Sequence, residues 1–129
     1  MKVLKMTVIL VVLLTSGCIE KEHPFEGKVF TIENYIDERL DNTEDLTFNQ
    51  GTLEGSECVK WGFEKTQYKT TFSENGTPQF SCTMFSAQEG KMVWNGTLNN
   101  SELTGTCLWS KEGQKSTRFT FKGSLKSEQ

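Results

Sequence analysis

The chain has 129 residues, with 17 acidic and 14 basic side chains and a formal net charge of −3 at pH 7. Nucleic acids and anionic lipids are bound by basic surfaces, so this balance argues against both as partners. Beyond the N-terminal segment described next, about 100 residues remain. That length is enough for one domain with one modest core.

The first seventeen residues have the pattern of a secretory signal. A basic start with Lys2 and Lys5 is followed by an apolar stretch over residues 6–14 and by small or polar residues up to Gly17. The apolar stretch is much shorter than the roughly 20 residues of a membrane-spanning helix. We therefore expect residues 1–17 to be a cleaved signal peptide rather than a permanent transmembrane segment.

The end of this segment, Leu-Thr-Ser-Gly-Cys at residues 14–18, resembles the lipobox of bacterial lipoproteins. The resemblance implies that the signal is cut before Cys18 and that its thiol carries acyl chains such as palmitate. It also implies a lipid anchor in the bacterial cell envelope, and Ile19 after the cysteine favours the outer membrane. Several acyl chains hold a protein firmly, since each buried methylene contributes about 0.8 kcal/mol. The alternative is an ordinary signal peptide in which Cys18 is incidental.

Processing at this point would remove two lysines and leave 12 basic against 17 acidic side chains, a formal charge of −5. Residues 18–26 are short and mostly polar, and we predict that they form a tether between the lipid and the folded domain. The domain itself is predicted over residues 27–126. Residues 127–129 are predicted to be a C-terminal tail.

The clearest structural signal lies in the second half of the chain, where apolar and polar side chains alternate with a period of two. Four alternating segments span residues 78–86, 91–98, 103–109 and 117–125. Polar turns separate them, which is typical of an antiparallel meander. Gly96, Gly105 and Gly123 interrupt the bulky inward-facing side chains, as expected where a sheet curves tightly.

The first half is less regular. Strands are predicted at residues 28–32, 45–50, 51–55 and 67–72. Residues 33–44 have helix-like spacing of apolar side chains and are predicted to be a short helix or an ordered loop. Residues 56–63 are predicted to form a turn or one helical turn, with Ser56 as its cap and Gly62 at its end.

Together these segments predict an all-β fold of about eight strands. An antiparallel up-and-down barrel is favoured, because closure removes the exposed edges of the sheet. The pattern Trp94-x-Gly96 to Phe121-x-Gly123 resembles the calycins, the group of barrels that includes the lipocalins and avidin. The resemblance covers residues 27–126 and implies a lipocalin-like fold. It implies little about function, since one fold serves many functions.

Three cysteines remain besides Cys18, namely Cys58, Cys82 and Cys107. In an oxidising envelope compartment at least one disulfide is expected. We predict a Cys58–Cys82 disulfide, with Cys107 as a buried free thiol. No CxxC spacing is present and the single histidine, His23, lies in the tether, so no metal site is predicted. The acidic residues between 33 and 57 are interpreted as a solvated face rather than a calcium site.

No arrangement of residues predicts catalysis. A nucleophile needs a nearby base, and His23 lies outside the predicted domain. We therefore expect a protein that is not an enzyme and needs no cofactor.

The favoured function is binding of a small apolar or amphipathic ligand inside the barrel. An eight-stranded barrel either holds one small ligand or is filled by its own side chains, and the many large inward residues favour filling. The predicted ligand-lining side chains are Trp61, Phe63, Tyr68, Trp94 and Trp109. For the first three, near the irregular segment, the alternative is a lid packed over the core. The other function considered is a protein-interaction or inhibitor lipoprotein, similar to bacterial lysozyme inhibitors, with a basic envelope protein as its partner.

Overall fold

Antiparallel β-strands make up most of residues 22–128, the part of the chain that the computed structural model describes. Nine strands form one sheet that curves into a nearly closed barrel, so the predicted all-β barrel is confirmed with nine strands in place of about eight. The predicted signal peptide and Cys18 lie outside these residues. No helix within residues 22–128 is long and apolar enough to cross a membrane.

The elements follow one another with short connections. In chain order they are β1 Lys28–Ile36, β2 Arg39–Asn49, β3 Thr52–Gly55, a 3₁₀ turn Val59–Trp61, β4 Thr66–Gln67, β5 Lys69–Phe72, β6 Pro78–Ser86, β7 Gly90–Asn99, β8 Glu102–Ser110 and β9 Thr117–Glu128. The strand order in the sheet is β4-β3-β2-β1-β9-β8-β7-β6-β5. The first and last long strands, β1 and β9, are therefore neighbours.

The ninth strand arises because one predicted strand is split. Only Tyr68 separates β4, which pairs with β3, from β5, which pairs with β6. Residues 66–72 thus connect one edge of the sheet to the other and bring the barrel close to closure. Counted as one strand with a change of partner, this segment restores the predicted number of eight.

The second half of the chain folds as predicted. β6 has the bounds expected from the sequence, and β7, β8 and β9 contain the other three alternating segments. Gly105 shows why the sheet needs glycine here: a Cβ atom at this residue would overlap the carbonyl oxygen of Asn95 and lie 2.7 Å from the ring of Phe121. β9 continues to Glu128 and pairs with β1, so most of the predicted tail belongs to a strand.

The helix or loop predicted over residues 33–44 is wrong. β1 continues to Ile36, and β2 begins at Arg39 after a two-residue turn. Both turn residues have positive φ angles, 48° at Asp37 and 67° at Glu38. Such turns match the twist of a β-hairpin, but they usually contain Asn or Gly, and this one contains neither.

Residues 24–26 belong to the barrel and not to the predicted tether. Phe25 is fully buried, with its ring centroid 5.2 Å from that of Phe48 and 5.4 Å from that of Phe80. The Glu26 carboxylate accepts hydrogen bonds of 2.9 and 2.8 Å from two backbone N–H groups in the β2–β3 turn. Burial of one large aromatic side chain thus draws this segment onto one end of the barrel, which it closes.

The predicted Cys58–Cys82 disulfide is wrong. All three cysteines of residues 22–128 are free and buried, and none is close enough to another for a bond. The Cys58 sulfur lies 3.6 Å from a carboxylate oxygen of Glu44, whereas the Cys82 sulfur lies 3.4 Å from the carbonyl oxygen of Gln67. A disulfide needs both sulfur atoms to face each other, and these two face different elements. The prediction that Cys107 is a buried free thiol is confirmed.

Candidate functional site

A cavity of about 220 Å³ opens at one end of the barrel. It lies beside the β1–β2 turn and the β6–β7 turn and is partly covered by the 3₁₀ turn. Phe25 lies beside the β2–β3 turn, and consecutive turns of an up-and-down barrel lie at opposite ends. The interior is therefore filled by aromatic side chains at the Phe25 end and open at the other end. We call these the closed end and the open end.

β1 and β2 supply the polar part of the cavity because their inward-facing side chains change from apolar to polar towards the β1–β2 turn. On β2, going from the closed end towards the β1–β2 turn, the inward residues are Phe48, Leu46, Glu44 and Asn42. On β1, the inward position that faces the cavity is Asn34. Glu44 and Asn34 are only 6% and 3% exposed, so the barrel buries a carboxyl group and an amide at the cavity wall.

The Glu44 carboxylate is held by three donors. It accepts a 2.7 Å hydrogen bond from Nδ2 of Asn34 and a 3.2 Å hydrogen bond from the backbone N–H of Glu57. The Cys58 thiol, 3.6 Å away, is a weak third donor. Burial is the largest influence on the pKa of Glu44 and raises it, while these hydrogen bonds oppose the rise.

Gly55 makes room for this arrangement. A Cβ atom at residue 55 would lie 2.7 Å from the nearer Glu44 carboxylate oxygen and 2.8 Å from the Cys58 sulfur. Both distances are shorter than real Cβ contacts, so any larger residue would displace the carboxylate, the thiol or the strand. Gly55 is therefore required by the close approach of two side chains and not by a turn.

Two buried polar atoms at the cavity have no hydrogen-bond partner within residues 22–128. They are the side-chain oxygen of Asn34 and the indole nitrogen of Trp94. The amide nitrogen of Asn34 already donates to Asn42 and Glu44, both at 2.7 Å, so its oxygen is the free atom. A buried polar group without a partner costs about 1–3 kcal/mol, so a hydrogen-bond partner at either atom would be stabilising.

Four of the five predicted ligand-lining residues do line this cavity. They are Trp61, Phe63, Trp94 and Trp109. The indole N–H of Trp109 donates a 2.7 Å hydrogen bond to the carbonyl oxygen of Glu89, which fixes its orientation. Trp61 is 62% exposed and lies at the mouth of the cavity.

The backbone around Trp61 is held by its neighbours. The Ser86 hydroxyl donates a 2.9 Å hydrogen bond to the Trp61 carbonyl oxygen. The predicted helical turn is confirmed as the 3₁₀ turn, and Gly62 ends it with a φ angle of 85°. Cys58, not the predicted Ser56, occupies the N-cap position, and the Ser56 hydroxyl instead accepts a hydrogen bond from the Asp45 N–H.

Tyr68, the fifth predicted residue, lies at the closed end. Its ring centroid is 5.0 Å from that of Phe48, and its hydroxyl donates a 2.9 Å hydrogen bond to the Glu26 carboxylate. Burial and the neighbouring carboxylate raise the pKa of Tyr68. The side chain therefore helps to close the barrel and does not line the cavity.

The cavity is acidic. Among the described residues that line it there is no Lys, Arg or His, and there are four acids, Asp41, Glu44, Glu57 and Glu89. Two of these pair with lysines, Glu57 with Lys60 at 2.6 Å and Glu89 with Lys111 at 3.6 Å. Glu44 takes part in no ion pair within the described residues, where the third pair joins Lys126 to Asp45. The buried carboxyl group thus lacks a counter-charge.

Burial at the cavity favours the protonated form of both thiols. Burial raises the pKa of Cys58 and of Cys107, with the nearby Glu44 adding to the rise. A protonated buried thiol is a small, nearly apolar side chain and a poor nucleophile. No group of three His, Cys, Asp or Glu side chains within residues 22–128 is arranged to hold a metal ion.

The polar residues Asn34, Asn42 and Glu44 were not among the predicted site residues. Their signal in the sequence is a polar side chain at an inward position of an otherwise apolar alternating row. The prediction of a helix or loop over residues 33–44 hides this alternating row.

The chain was also compared with known proteins. No family model, curated protein or solved structure matches it. The resemblance to the calycins therefore stays a prediction from the sequence.

Proposed function

We propose that this protein is a lipid-anchored protein of the bacterial cell envelope whose barrel binds a small amphipathic ligand at its open end. One observation carries the binding proposal: the cavity combines aromatic walls with two buried polar atoms that lack partners. The anchor at Cys18 is supported by the signal-like residues 1–17 and by the lipobox resemblance.

The unpaired atoms favour a ligand over a merely incomplete core. More than nine in ten buried polar groups in proteins have a hydrogen-bond partner, so two exceptions at one cavity favour a partner from outside the chain. The oxygen of Asn34 accepts a hydrogen bond and the indole nitrogen of Trp94 donates one. A ligand with an apolar body and a few polar groups would satisfy both atoms and contact the aromatic walls.

The position of the N-terminal segment fits an anchored binding protein. Phe25 packs at the closed end, so the chain enters the barrel there. A tether that runs from Cys18 to residue 22 would attach the closed end to the membrane. The mouth of the cavity, marked by Trp61, would then face away from the membrane.

Native mass spectrometry of the protein extracted from its own membrane tests the binding proposal. We expect an added mass that is lost on unfolding and is distinct from the acyl mass at Cys18. A Met92→Trp variant places a larger side chain in the cavity wall and should lose this mass. The matched control is Lys91→Trp, on the exposed face of the same strand, which should keep it. A bare wild-type barrel would overturn the proposal.

The inhibitor alternative rests on residues 86–96, whose sequence is similar to the inhibitory loop of bacterial lysozyme inhibitors. They comprise the end of β6, the β6–β7 turn and most of β7. Ser86 is 9% exposed and is engaged within the barrel, since its hydroxyl donates to Trp61 and accepts a hydrogen bond from the Glu89 N–H. It is therefore not presented to a partner protein. A lysozyme assay with the added protein separates the two functions, and our proposal predicts full lysozyme activity.

A further inference from the structure

We infer that the ligand of the open-end cavity is a small organic cation, an ammonium group on an apolar or aromatic body, with Glu44 as its counter-charge. The inference rests on the proposed function and narrows its ligand to one chemical class. It follows from the charge, the free acceptor and the aromatic walls of the cavity, taken in turn below.

The charge of the cavity favours a cation. Glu44 is 6% exposed and has no basic partner within the described residues. A buried carboxylate is expensive unless it is paired as well as hydrogen-bonded. Of the other three lining carboxylates, Glu57 and Glu89 pair with lysines, and Asp41 adds negative charge without such a partner within the described residues. An anionic ligand would face this negative charge unpaired.

A free acceptor next to Glu44 points to the same class. The side-chain oxygen of Asn34, a residue that is 3% exposed, has no donor within residues 22–128. Its amide nitrogen is 2.7 Å from a Glu44 carboxylate oxygen, so the free oxygen belongs to a group fixed beside the carboxylate. A primary ammonium has three donors and no acceptor, and thus suits a site of acceptors.

The aromatic walls of the cavity also favour a cationic ligand. Trp61, Trp109 and Phe119 line the cavity together with the acids. A cation over the face of such rings is attracted by their negative π-systems, most strongly by tryptophan. The indole N–H of Trp94 has no acceptor within the described residues, and an oxygen on the body of the ligand would satisfy it. The ligand is therefore expected to be a compact amine with an apolar part, with or without such an oxygen.

A metal ion fits the cavity less well than an organic cation. Metal sites need several ligands that converge on one point, and no three His, Cys, Asp or Glu side chains within residues 22–128 do so. Calcium prefers six to eight oxygen ligands. The apolar walls would also leave most of a metal ion's coordination sphere without donors.

Isothermal titration calorimetry of the full chain tests the inference. The protein is extracted from membranes into a non-ionic detergent and stripped of bound ligand. The probes are 2-phenylethylamine, 2-phenylethanol and phenylacetate, which share a ring and differ in charge. We expect the amine to bind about tenfold or more tightly than the alcohol, as a charge-assisted hydrogen bond implies. Phenylacetate should bind more weakly than the alcohol, because its negative charge is repelled by that of Glu44.

Three variants assign the preference to Glu44. Glu44→Gln removes the charge and should make the amine bind no better than the alcohol. Glu44→Asp keeps the charge and should keep a preference for the amine, and retained binding of the alcohol by Glu44→Gln shows that the first variant is folded. Glu54→Gln makes the same chemical change on the exposed face of β3 and should behave like the wild type.

The outcomes separate this inference from the proposed function. Equal binding of amine and alcohol by the wild type would overturn the cationic class and leave the ligand-binding proposal standing. Failure of the amine to bind would also overturn the inference, and native mass spectrometry would then decide whether any ligand binds. Displacement of the amine by calcium or magnesium ions at equal concentration would overturn it in favour of a metal site. Loss of the preference in Glu54→Gln would overturn the assignment to Glu44.

Discussion

Phe25→Ala should destabilise the barrel strongly, although residue 25 lies in a stretch that reads as a polar tether. The side chain is fully buried, and its ring centroid lies 5.2 Å from that of Phe48, 5.4 Å from that of Phe80 and 6.3 Å from that of Tyr68. Replacing a buried phenylalanine by alanine costs about 3–5 kcal/mol. Each aromatic pair adds about 0.5–1.5 kcal/mol beyond simple burial.

We therefore expect a loss of about 4 kcal/mol in the free energy of unfolding, near the middle of the range for such substitutions. That is a large part of the roughly 5–15 kcal/mol by which most domains are stable. The corresponding fall in Tm is about 15 °C or more for a domain of this size. Guanidinium-induced unfolding followed by tryptophan fluorescence measures the first quantity, and thermal unfolding by circular dichroism measures the second.

Phe85→Ala is the matched control. Phe85 is 68% exposed on β6, so the same chemical change should cost less than about 1 kcal/mol there. If Phe25→Ala costs no more than Phe85→Ala, the reasoning is refuted. Residues 24–26 would then behave as the tether that the sequence suggests, and the closed end would be closed by other side chains.

Three further predictions concern the glycines, the buried carboxyl group and the thiols. Gly105→Ala should cost more than about 2 kcal/mol in unfolding free energy, because the new methyl group would overlap the Asn95 carbonyl oxygen, a backbone atom. Because burial raises the pKa of Glu44 in the folded state, the wild type should lose stability relative to Glu44→Gln as pH rises from the unfolded-state pKa through the folded-state pKa. Unfolding curves of both proteins from pH 4 to 8, a range that begins at about the ordinary glutamate pKa and extends above it, measure this difference. In the non-reduced native protein, an alkylating reagent should label none of the three buried thiols quickly and all three after unfolding.

Each of these predictions has a contradicting result and an internal control. Gly113→Ala is the control for the steric clash, since nothing lies within 4 Å of a Cβ atom at residue 113. Its φ angle of 80° adds backbone strain that Gly105 does not have. Equal costs for the two substitutions would still contradict the steric reason. A constant stability difference across the pH range would contradict the raised pKa of Glu44. Of the other titratable groups at the cavity, Asp41, Glu57 and Glu89 are common to both proteins. Burial raises the pKa of the Cys58 and Cys107 thiols, so both stay protonated over this pH range in either protein. Two thiols that stay unlabelled after unfolding without reductant would restore the disulfide.

The strands of the second half were predictable because each signal there is local. Alternating side chains define β6 to β9, and polar turns separate them. The first half lacks this clarity for a specific reason. Asp37 and Glu38 adopt positive φ angles without the Asn or Gly that usually announces such a turn. The hairpin was therefore hidden, and with it the inward position of Glu44.

The aromatic part of the site was easier to predict than the polar part. Trp94 and Trp109 lie in clear alternating strands, so their inward position followed from the period. Asn34 and Glu44 become visible only when the register of β1 with β2 is known. Tyr68 was misplaced because which end of a barrel a side chain occupies depends on long-range pairing, which the sequence of one segment does not contain.

The disulfide prediction was wrong because the sequence does not show the direction in which each cysteine side chain points. Counting three cysteines in an oxidising compartment makes one disulfide reasonable, but pairing depends on the direction of each side chain. Cys58 faces Glu44 in the cavity wall, and Cys82 faces the backbone of β4 where the sheet nearly closes. Phe25 illustrates the same point, since its burial depends on contacts with strands more than twenty residues away.

The most direct test of the central claim is a crystal structure of the protein purified from its own membrane, without removal of bound molecules. The account predicts a compact ligand in the open-end cavity, with a nitrogen about 3 Å from the Glu44 carboxylate and from the Asn34 side-chain oxygen. Its apolar part should lie against Trp109. A cavity that holds only ordered water between Glu44 and Trp94, or one filled by the collapse of Trp61 onto Phe119, would contradict it.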